Sequence, residues 1–524
     1  MPEHASEAEA REFAAAFRRF LDWVGQAVNE DRRNEVALLV QDFLGADGTA
    51  HSVVSRVLPV FEHVNLQTAV DAWSVLPGRS VEIHGILLPP HYSLQLQQIV
   101  GAEGLPNRLR LIPPALVDLP NGPDSTLGCL KLALLLVTDA RGRYVVMVQS
   151  QGEHHQGLEV EIAGLPVAEA QVVLAELDRL RSELNVYRGH LLDVTLNPMG
   201  GVILAFAVPP GLGRGDVVLP EAVLSRVERH ALGVAAYRDA LLAAGQHLKR
   251  GLLLYGPPGT GKTHTTRYLL GQMTGYTRLI LTGRALVGVG AVTEMARELQ
   301  PAVVVLEDVD LVAEDRSMGP ASSPVLFDLL DAMDGAAPDA DLLFLLTTNR
   351  ADLLEPALAA RPGRVDIAVE IELPDAAARE RLLALYGRGV PLALTPEDIA
   401  AAVERTQDTT ASFLKELIRR SVLESLHDTY GSGSRPASDG TAPAPERALP
   451  GDPAEPAGRP LPAVTGVHVA RALDDLLDSA QGVTRTLLGV GVDPTTLPAG
   501  GALAVSPARM MAQRRMMVSR VFRG

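Results

Sequence analysis

The pattern Gly256-x4-Gly261-Lys262-Thr263, inside "LLLYGPPGTGKTHTT" at residues 252–266, constrains the fold of this chain more than any other feature. Residues 251–255 read as a short buried strand before it, and a helix opens near Thr263. Strand, glycine loop and helix N-terminus together make a phosphate cradle. The glycines let backbone N–H groups curl round phosphate oxygens, and the helix end adds its positive dipole. Lys262 has the reach to meet β- and γ-phosphates, and the Thr263 hydroxyl is the type of donor that ligates Mg2+. Gly256, Pro257, Pro258, Gly259, Thr260, Gly261, Lys262, Thr263 and His264 are therefore the expected binding residues for ATP with Mg2+. From about residue 216 to about 373, strand, loop and helix alternate, which predicts a parallel sheet covered on both faces, an α/β fold.

Hydrolysis needs more than a cradle: an acid at the metal and a group that orients water. The next apolar strand, "AVVVLEDVD" at residues 302–310, ends in Glu307 and Asp308. Carboxylates at the C-terminal end of a strand lie in the ligand crevice of a doubly wound sheet. Glu307 is expected in the Mg2+ shell and Asp308 is expected to polarise the attacking water. A third strand, "DLLFLLTTNR", ends in Asn349, whose amide can position that water. In "EPALAARPGRVD", Arg361 and Arg364 flank a Pro-Gly turn, and both can project from one surface. Arginines brought to the γ-phosphate of a neighbour stabilise the charge that spreads in the transition state.

Around this segment the chain changes character. Residues 1–210 read as a mixed α/β accessory or recruitment domain. Phe13, Phe17, Phe20, Leu21, Val24 and Val28 share one helical face, and a second amphipathic run covers residues 36–44. A hairpin is expected at residues 131–150, a helix at 166–184 with Pro166 near its first turn, and a buried strand at 201–208. Residues 431–463 hold eight prolines and almost no large apolar side chains, so no core is expected there. Between Arg509 and Arg523 the tail carries five arginines, four methionines and no acid, a local inversion in a chain of net charge −16. That inversion suits an acidic partner or a neighbouring subunit.

These segments, in this order, resemble the AAA family of ATPases. The matching stretches are "RGLLLYGPPGTGKT" (Walker A), "VVVLEDVD" (Walker B), "LLDAMDG", "LLTTNR" (sensor 1) and "PALAARPGRVD" (the second region of homology). The resemblance covers roughly residues 216–480. It implies a parallel-sheet P-loop NTPase domain at 211–374 and a small helical lid at 375–482. The lid would be interrupted by the Pro-rich insertion 431–463 and followed by a C-terminal tail at 483–524. It also implies self-association into a homo-oligomeric, usually hexameric, ring with ATP sites at subunit boundaries, where Arg361 and Arg364 serve the neighbour's ATP. The residues "DTTASFLKELIRR" look like the lid helix over the nucleotide, and "HVARALDDLLDS" like the last lid helix.

Four departures qualify the resemblance. Glu307-Asp308 inverts the usual Asp-Glu order, an inversion that also resembles the mitochondrial AAA translocase of the Rieske protein. The segment matching a substrate-gripping pore loop, Leu286-Val287-Gly288, carries no aromatic residue to hold an extended peptide. Ala411 stands where a glycine is frequent. No His-Glu-x-x-His occurs in the sequence, so a fused metalloprotease of the membrane AAA type is not expected. The resulting expectation is a ring ATPase, a magnesium-dependent hydrolase that remodels an unidentified protein client. An ATP-binding assembly switch with little hydrolysis is the alternative.

Composition narrows the partners. The net charge of −16 opposes nucleic acid. No apolar run reaches the roughly 18 residues of a membrane span. The N-terminus lacks the basic-then-apolar pattern of a signal peptide, so a cytoplasmic protein is expected. The single cysteine, Cys129, allows no intrachain disulfide and argues against a Cys-based zinc site.

Overall fold

The structure, a computed structural model, describes residues 16–20, 34–89, 94–101, 109–150, 157–198, 200–313, 340–350, 365–430 and 461–478. Arg361, Arg364, the stretch "LLDAMDG", most of the Pro-rich segment and the Arg/Met tail lie outside the described residues. Two compact units are present. One comprises the described residues up to Leu212 with Val227–Leu254 and Thr266–Ala368; the other comprises Gly213–Arg226, Tyr255–Thr265 and the described residues from Val369 onward.

The first unit opens with an antiparallel sheet made of β1 (Val54–Leu58), β2 (Ser80–Leu87), β3 (Arg110–Ile112), β4 (Ala115–Gly122), β5 (Ser125–Asp139), β6 (Gly142–Ser150) and β7 (Leu158–Ala163). Their order is β1-β7-β6-β5-β2-β3, with β4 also paired to β5. The expected hairpin is β5–β6, with Asp139 opposite Gly142. The facing stretches 132–137 and 144–148 are continuously apolar because helices cover both faces. Leu135 and Val137 face a core with Trp73 and Leu174, supplied by helices His63–Ser74 and Val167–Glu183. Leu134 and Leu136 face the opposite core, with Val40 and Ile99 from helices Glu35–Thr49 and Leu96–Gly101. Of the N-terminal helical face, only Phe17 and Phe20 fall among the described residues, and both are exposed.

Burial in this domain includes two carboxyl groups with opposite fates. Burial pushes the Asp139 carboxyl up, but hydrogen bonds from Arg141, Tyr144 and Arg79 outweigh it and hold the group below the usual carboxylate range. Glu161 on β7, 5% exposed, accepts one hydrogen bond at 3.0 Å from Leu96 N. Its burial, reinforced by the nearby Glu159 charge, lifts its pKa to about 7 against that single bond. The folded state therefore keeps a proton that the unfolded chain has already released. This contribution is complete below pH 4.5 and is lost as pH rises to about 7, a loss of about 3 kcal/mol. Unfolding of wild type and Glu161→Gln in urea from pH 4 to pH 8 should give a difference curve that slopes across that window in favour of Gln. A flat difference would refute the assignment.

The second sheet of this unit reads β14-β10-β13-β12-β11-β8-β9, where β8 is Leu191–Leu196, β9 Val202–Ala207, β10 Arg250–Tyr255, β11 Thr277–Thr282, β12 Ala302–Glu307, β13 Leu342–Thr348 and β14 Ile367–Glu370. The pairs β11–β12, β12–β13 and β8–β11 are parallel, and β9 is antiparallel to β8. The nucleotide sheet therefore begins at Leu191, ahead of the boundary expected near residue 210. The expected strand at 201–208 is the edge strand β9, half-buried rather than buried. At the starting end of the parallel strands, Arg250 pairs with Asp341 at 3.0 Å, their side chains 3% and 1% exposed, and Tyr276 donates to Asp341 at 3.0 Å.

The second unit contains helices Ala376–Tyr386, Pro396–Arg405, Ala411–Tyr430 and Gly466–Leu477 around Leu383, Phe413, Leu417, Val469 and Leu473. Asp375 caps the first helix, and Thr395 with Asp398 forms a capping box ahead of Pro396 on the second. Helices Ala411–Tyr430 and Gly466–Leu477 pack on one another, so residues on both sides of 431–460 belong to a single helical unit.

Candidate nucleotide site

In the second unit the loop after Tyr255 turns on three left-handed glycines, Gly256 (φ 141°), Gly259 (φ 78°) and Gly261 (φ 110°). Gly256 is also sterically obligatory against backbone, and Gly259 is closely packed against side chains. Ile371 N donates to Tyr255 O at 2.7 Å, and a Cβ on Gly256 would then lie 2.3 Å from Ile371 O. A Cβ on Gly259 would lie 2.9 Å from Ser412 Oγ and 3.1 Å from Thr410 Oγ1. Ser412 N also donates to Gly259 O at 3.1 Å, so the first turn of helix Ala411–Tyr430 rests on the loop. Ala411, 8% exposed, is accommodated there.

Thr260 Oγ1 closes the curl by donating to Pro257 O at 2.9 Å. Helix Lys262–Gln272 begins where the loop ends. Lys262 is only 5% exposed, and its Nζ donates to Gly256 O and Pro257 O, each at 2.8 Å. A buried ammonium held by the carbonyls of a glycine turn suits a polyanion, whose oxygens offer it stronger, charge-assisted partners. Pro258 and His264 are exposed, and His264 Nε2 sits 3.0 Å from Asp216 O. Thr263 is half-buried in the first helical turn.

In the first unit, β12 and β13 run in parallel register, Leu306 beside Leu346, so their C-terminal ends meet. Glu307 ends β12 and is half-buried. Asp308 follows in the left-handed region (φ 51°), a conformation costing about 1–2 kcal/mol for most residues and least for Asp or Asn. It is held there because Asp308 N donates to Thr347 Oγ1 and Val309 N to Thr347 O, both at 3.0 Å. The turn brings Asp308 Oδ1 to 3.4 Å from Asn349 Nδ2. The acid and the amide expected to act on one water thus sit side by side. Arg361 and Arg364 fall outside the described residues.

Asp310 was not singled out from sequence, and the structure gives it a part in this site. It is 6% exposed, and its Oδ1 accepts from Thr348 Oγ1 at 2.9 Å and from Asn349 N at 3.1 Å. It therefore fixes the backbone that aims Asn349. The signal was the third acid of "EDVD", two residues beyond Asp308. Asp310→Ala should lower kcat about ten- to a hundredfold with KM for ATP unchanged, because small misplacements of an orienting group are costly. Asp310→Asn, which keeps an acceptor, should recover part of the loss; a raised KM with normal kcat would contradict the positioning role.

Thr263 and Glu307 each offer the oxygen donor type that Mg2+ takes, an ion that uses few protein ligands and completes its shell with water and phosphate. Among the described residues, no group of three or more His, Cys, Asp or Glu is placed to hold a metal.

The family model "ATPase family associated with various cellular activities (AAA)" matches residues 252–373. The chain is similar to the ATP-dependent zinc metalloprotease FtsH of Thermus thermophilus, 34% identical over 193 residues, which is 34% of this chain and 30% of that protein. It is likewise similar to the ATP-dependent zinc metalloprotease FtsH 4 of Sphaerobacter thermophilus, 36% identical over 197 residues, 34% of this chain and 29% of that protein. The matches thus span about 30% of those relatives' length. Among solved structures, the crystal structure of FIGL-1 AAA domain aligns with a TM-score of 0.40 and 21% identity, covering 54% of this chain and 92% of that one.

Proposed function

We propose that this chain, whose residues 252–373 match the AAA family model, hydrolyses ATP, assembles into a homo-oligomeric ring, hexameric by family habit, and couples hydrolysis to the remodelling of a protein client. The juxtaposition of Asp308 and Asn349 at the strand ends carries this reading, since a nucleotide-sensing scaffold has no use for an acid and an amide aimed at one point. Lys262 and the N–H groups of the loop bind the β- and γ-phosphates. Asp308 takes the proton of the attacking water, Asn349 orients that water, and Asp310 holds Asn349 in place. Arg361 and Arg364 of the adjacent protomer stabilise the charge on the transferring phosphoryl group. Thr263 and Glu307 would hold Mg2+, which when bound neutralises charge on the phosphate oxygens.

Client selection falls to the N-terminal domain, a folded body with two cores of its own. The relatives' names include a zinc protease activity; the segment they share with this chain is the one that carries the phosphate loop, and the activity assigned here is ATP-driven remodelling. Among the described residues no helix is long and apolar enough to cross a membrane. Phosphate release by purified, assembled protein tests the reading. Release should stand well above a Lys262→Ala background; release at that background would favour an assembly switch.

A further inference from the structure

Strand β8 lies beside β11, and its partner β9 closes that edge of the nucleotide sheet. The two meet at Leu196 opposite Val202. Asn197 pins the turn between them: its N–H donates to Gly201 O and its Oδ1 accepts from Gly201 N, both at 2.8 Å. Packed against β8 is the 3₁₀ turn Gly283–Gly288, which starts one residue after Thr282, the register partner of Glu307. Ala285 and Leu286 are buried in it, and a Cβ on Gly288 would stand 3.2 Å from Leu196 Cδ2 and 3.7 Å from Val202 Cγ2. Of its apolar side chains only Val287 is open, 61% exposed.

The far end of the hairpin continues into the N-terminal domain without a gap. Phe206 packs on the rings of Tyr187 and His190, at 5.7 and 5.3 Å between centroids. Tyr187 Oη donates to Phe61 O at 2.6 Å, and Val186 N donates to Asn65 Oδ1 at 2.9 Å. Asn65 is fully buried and donates to Glu62, which also pairs with Arg181 at 2.9 Å. A packed route therefore joins the strand end that carries Glu307 to helix His63–Ser74 of the N-terminal sheet.

We infer that residues 283–288 form a fixed coupling turn rather than a peptide-gripping loop, and that the β8–β9 hairpin passes changes at the Glu307 strand end to the N-terminal domain. A gripping loop needs exposed, mobile side chains with large contact area; here Leu286 is committed to the core and a lone valine faces outward. Close-packed elements move as units, so a displacement of this turn must be taken up by the hairpin seated on it. The inference goes beyond the proposed remodelling function, which would stand even with a stationary N-terminal domain.

Hydrogen exchange read by mass spectrometry on the full chain, with and without Mg2+ and the non-hydrolysable analogue AMP-PNP, tests it. Binding of AMP-PNP is checked in the same samples, so loss of the nucleotide site is separately visible. In wild type, exchange should change by about fivefold or more both at 283–290 and at 185–206. Leu196→Ala, and independently Val202→Ala, should keep binding and the first response but lose the second. Val287→Asp should keep both, and should leave intact any stimulation of phosphate release by α-casein. With AMP-PNP bound, an unresponsive 185–206 in wild type would overturn the inference. So would a response there that survives both alanine variants, or loss of casein stimulation in Val287→Asp.

Discussion

Asp308→Asn binds ATP as tightly as wild type, within a few-fold, and turns it over about a hundred- to ten-thousandfold more slowly. The magnitude is that of losing a general base. The variant isolates this chemistry because the fold does not resist it. Asn tolerates the left-handed conformation that Asp308 adopts at φ 51°. The backbone bond from residue 308 to Thr347 Oγ1 does not depend on the side chain. What disappears is the negative charge 3.4 Å from Asn349 Nδ2. Melting temperature should be unchanged, and equilibrium binding with single-turnover kinetics will separate binding from chemistry. Normal turnover would place the catalytic carboxylate elsewhere, with Glu307 the first candidate.

Lys262→Ala removes measurable ATP binding. Truncating one partner of a buried charged contact costs about 2–5 kcal/mol, roughly thirtyfold to several thousandfold in affinity. Lys262 meets that condition at 5% exposed. Its Nζ also bridges the carbonyls of Gly256 and Pro257, so the free loop should loosen as well. Titration with a fluorescent ATP analogue measures the first effect, and hydrogen exchange across residues 255–265 the second. Retained affinity would mean that the backbone N–H groups alone hold the phosphates.

The phosphate loop was legible in the sequence because its demands are local. Three glycines must take positive φ, a strand must precede them and a helix must follow, all within a dozen residues. The crowding at Gly256 and Gly259 was not legible, since Ile371 and Ser412 come from distant parts of the chain. The N-terminal hairpin could be read from its turn, but the antiparallel order around it is set by pairings between remote strands. That β8 and β9 belong to the second sheet was not legible for the same kind of reason. β8 and β9 look like a self-contained hairpin, and the parallel partner that recruits β8, β11, lies far downstream. Asp310 escaped notice because nothing in "EDVD" tells a buried brace from a solvated acid until Thr348 and Asn349 are seen bound to it.

The central claim is that each ATP is bound by one protomer and its hydrolysis is completed by arginines of the next. Mixing two inactive proteins tests it directly: Lys262→Ala, which keeps Arg361 and Arg364, and Arg361→Ala/Arg364→Ala, which keeps the phosphate loop. Each alone should release phosphate only at background, and the mixed assembly should regain release. A mixture that assembles yet stays at background, or a double arginine variant that hydrolyses ATP normally by itself, would contradict the account.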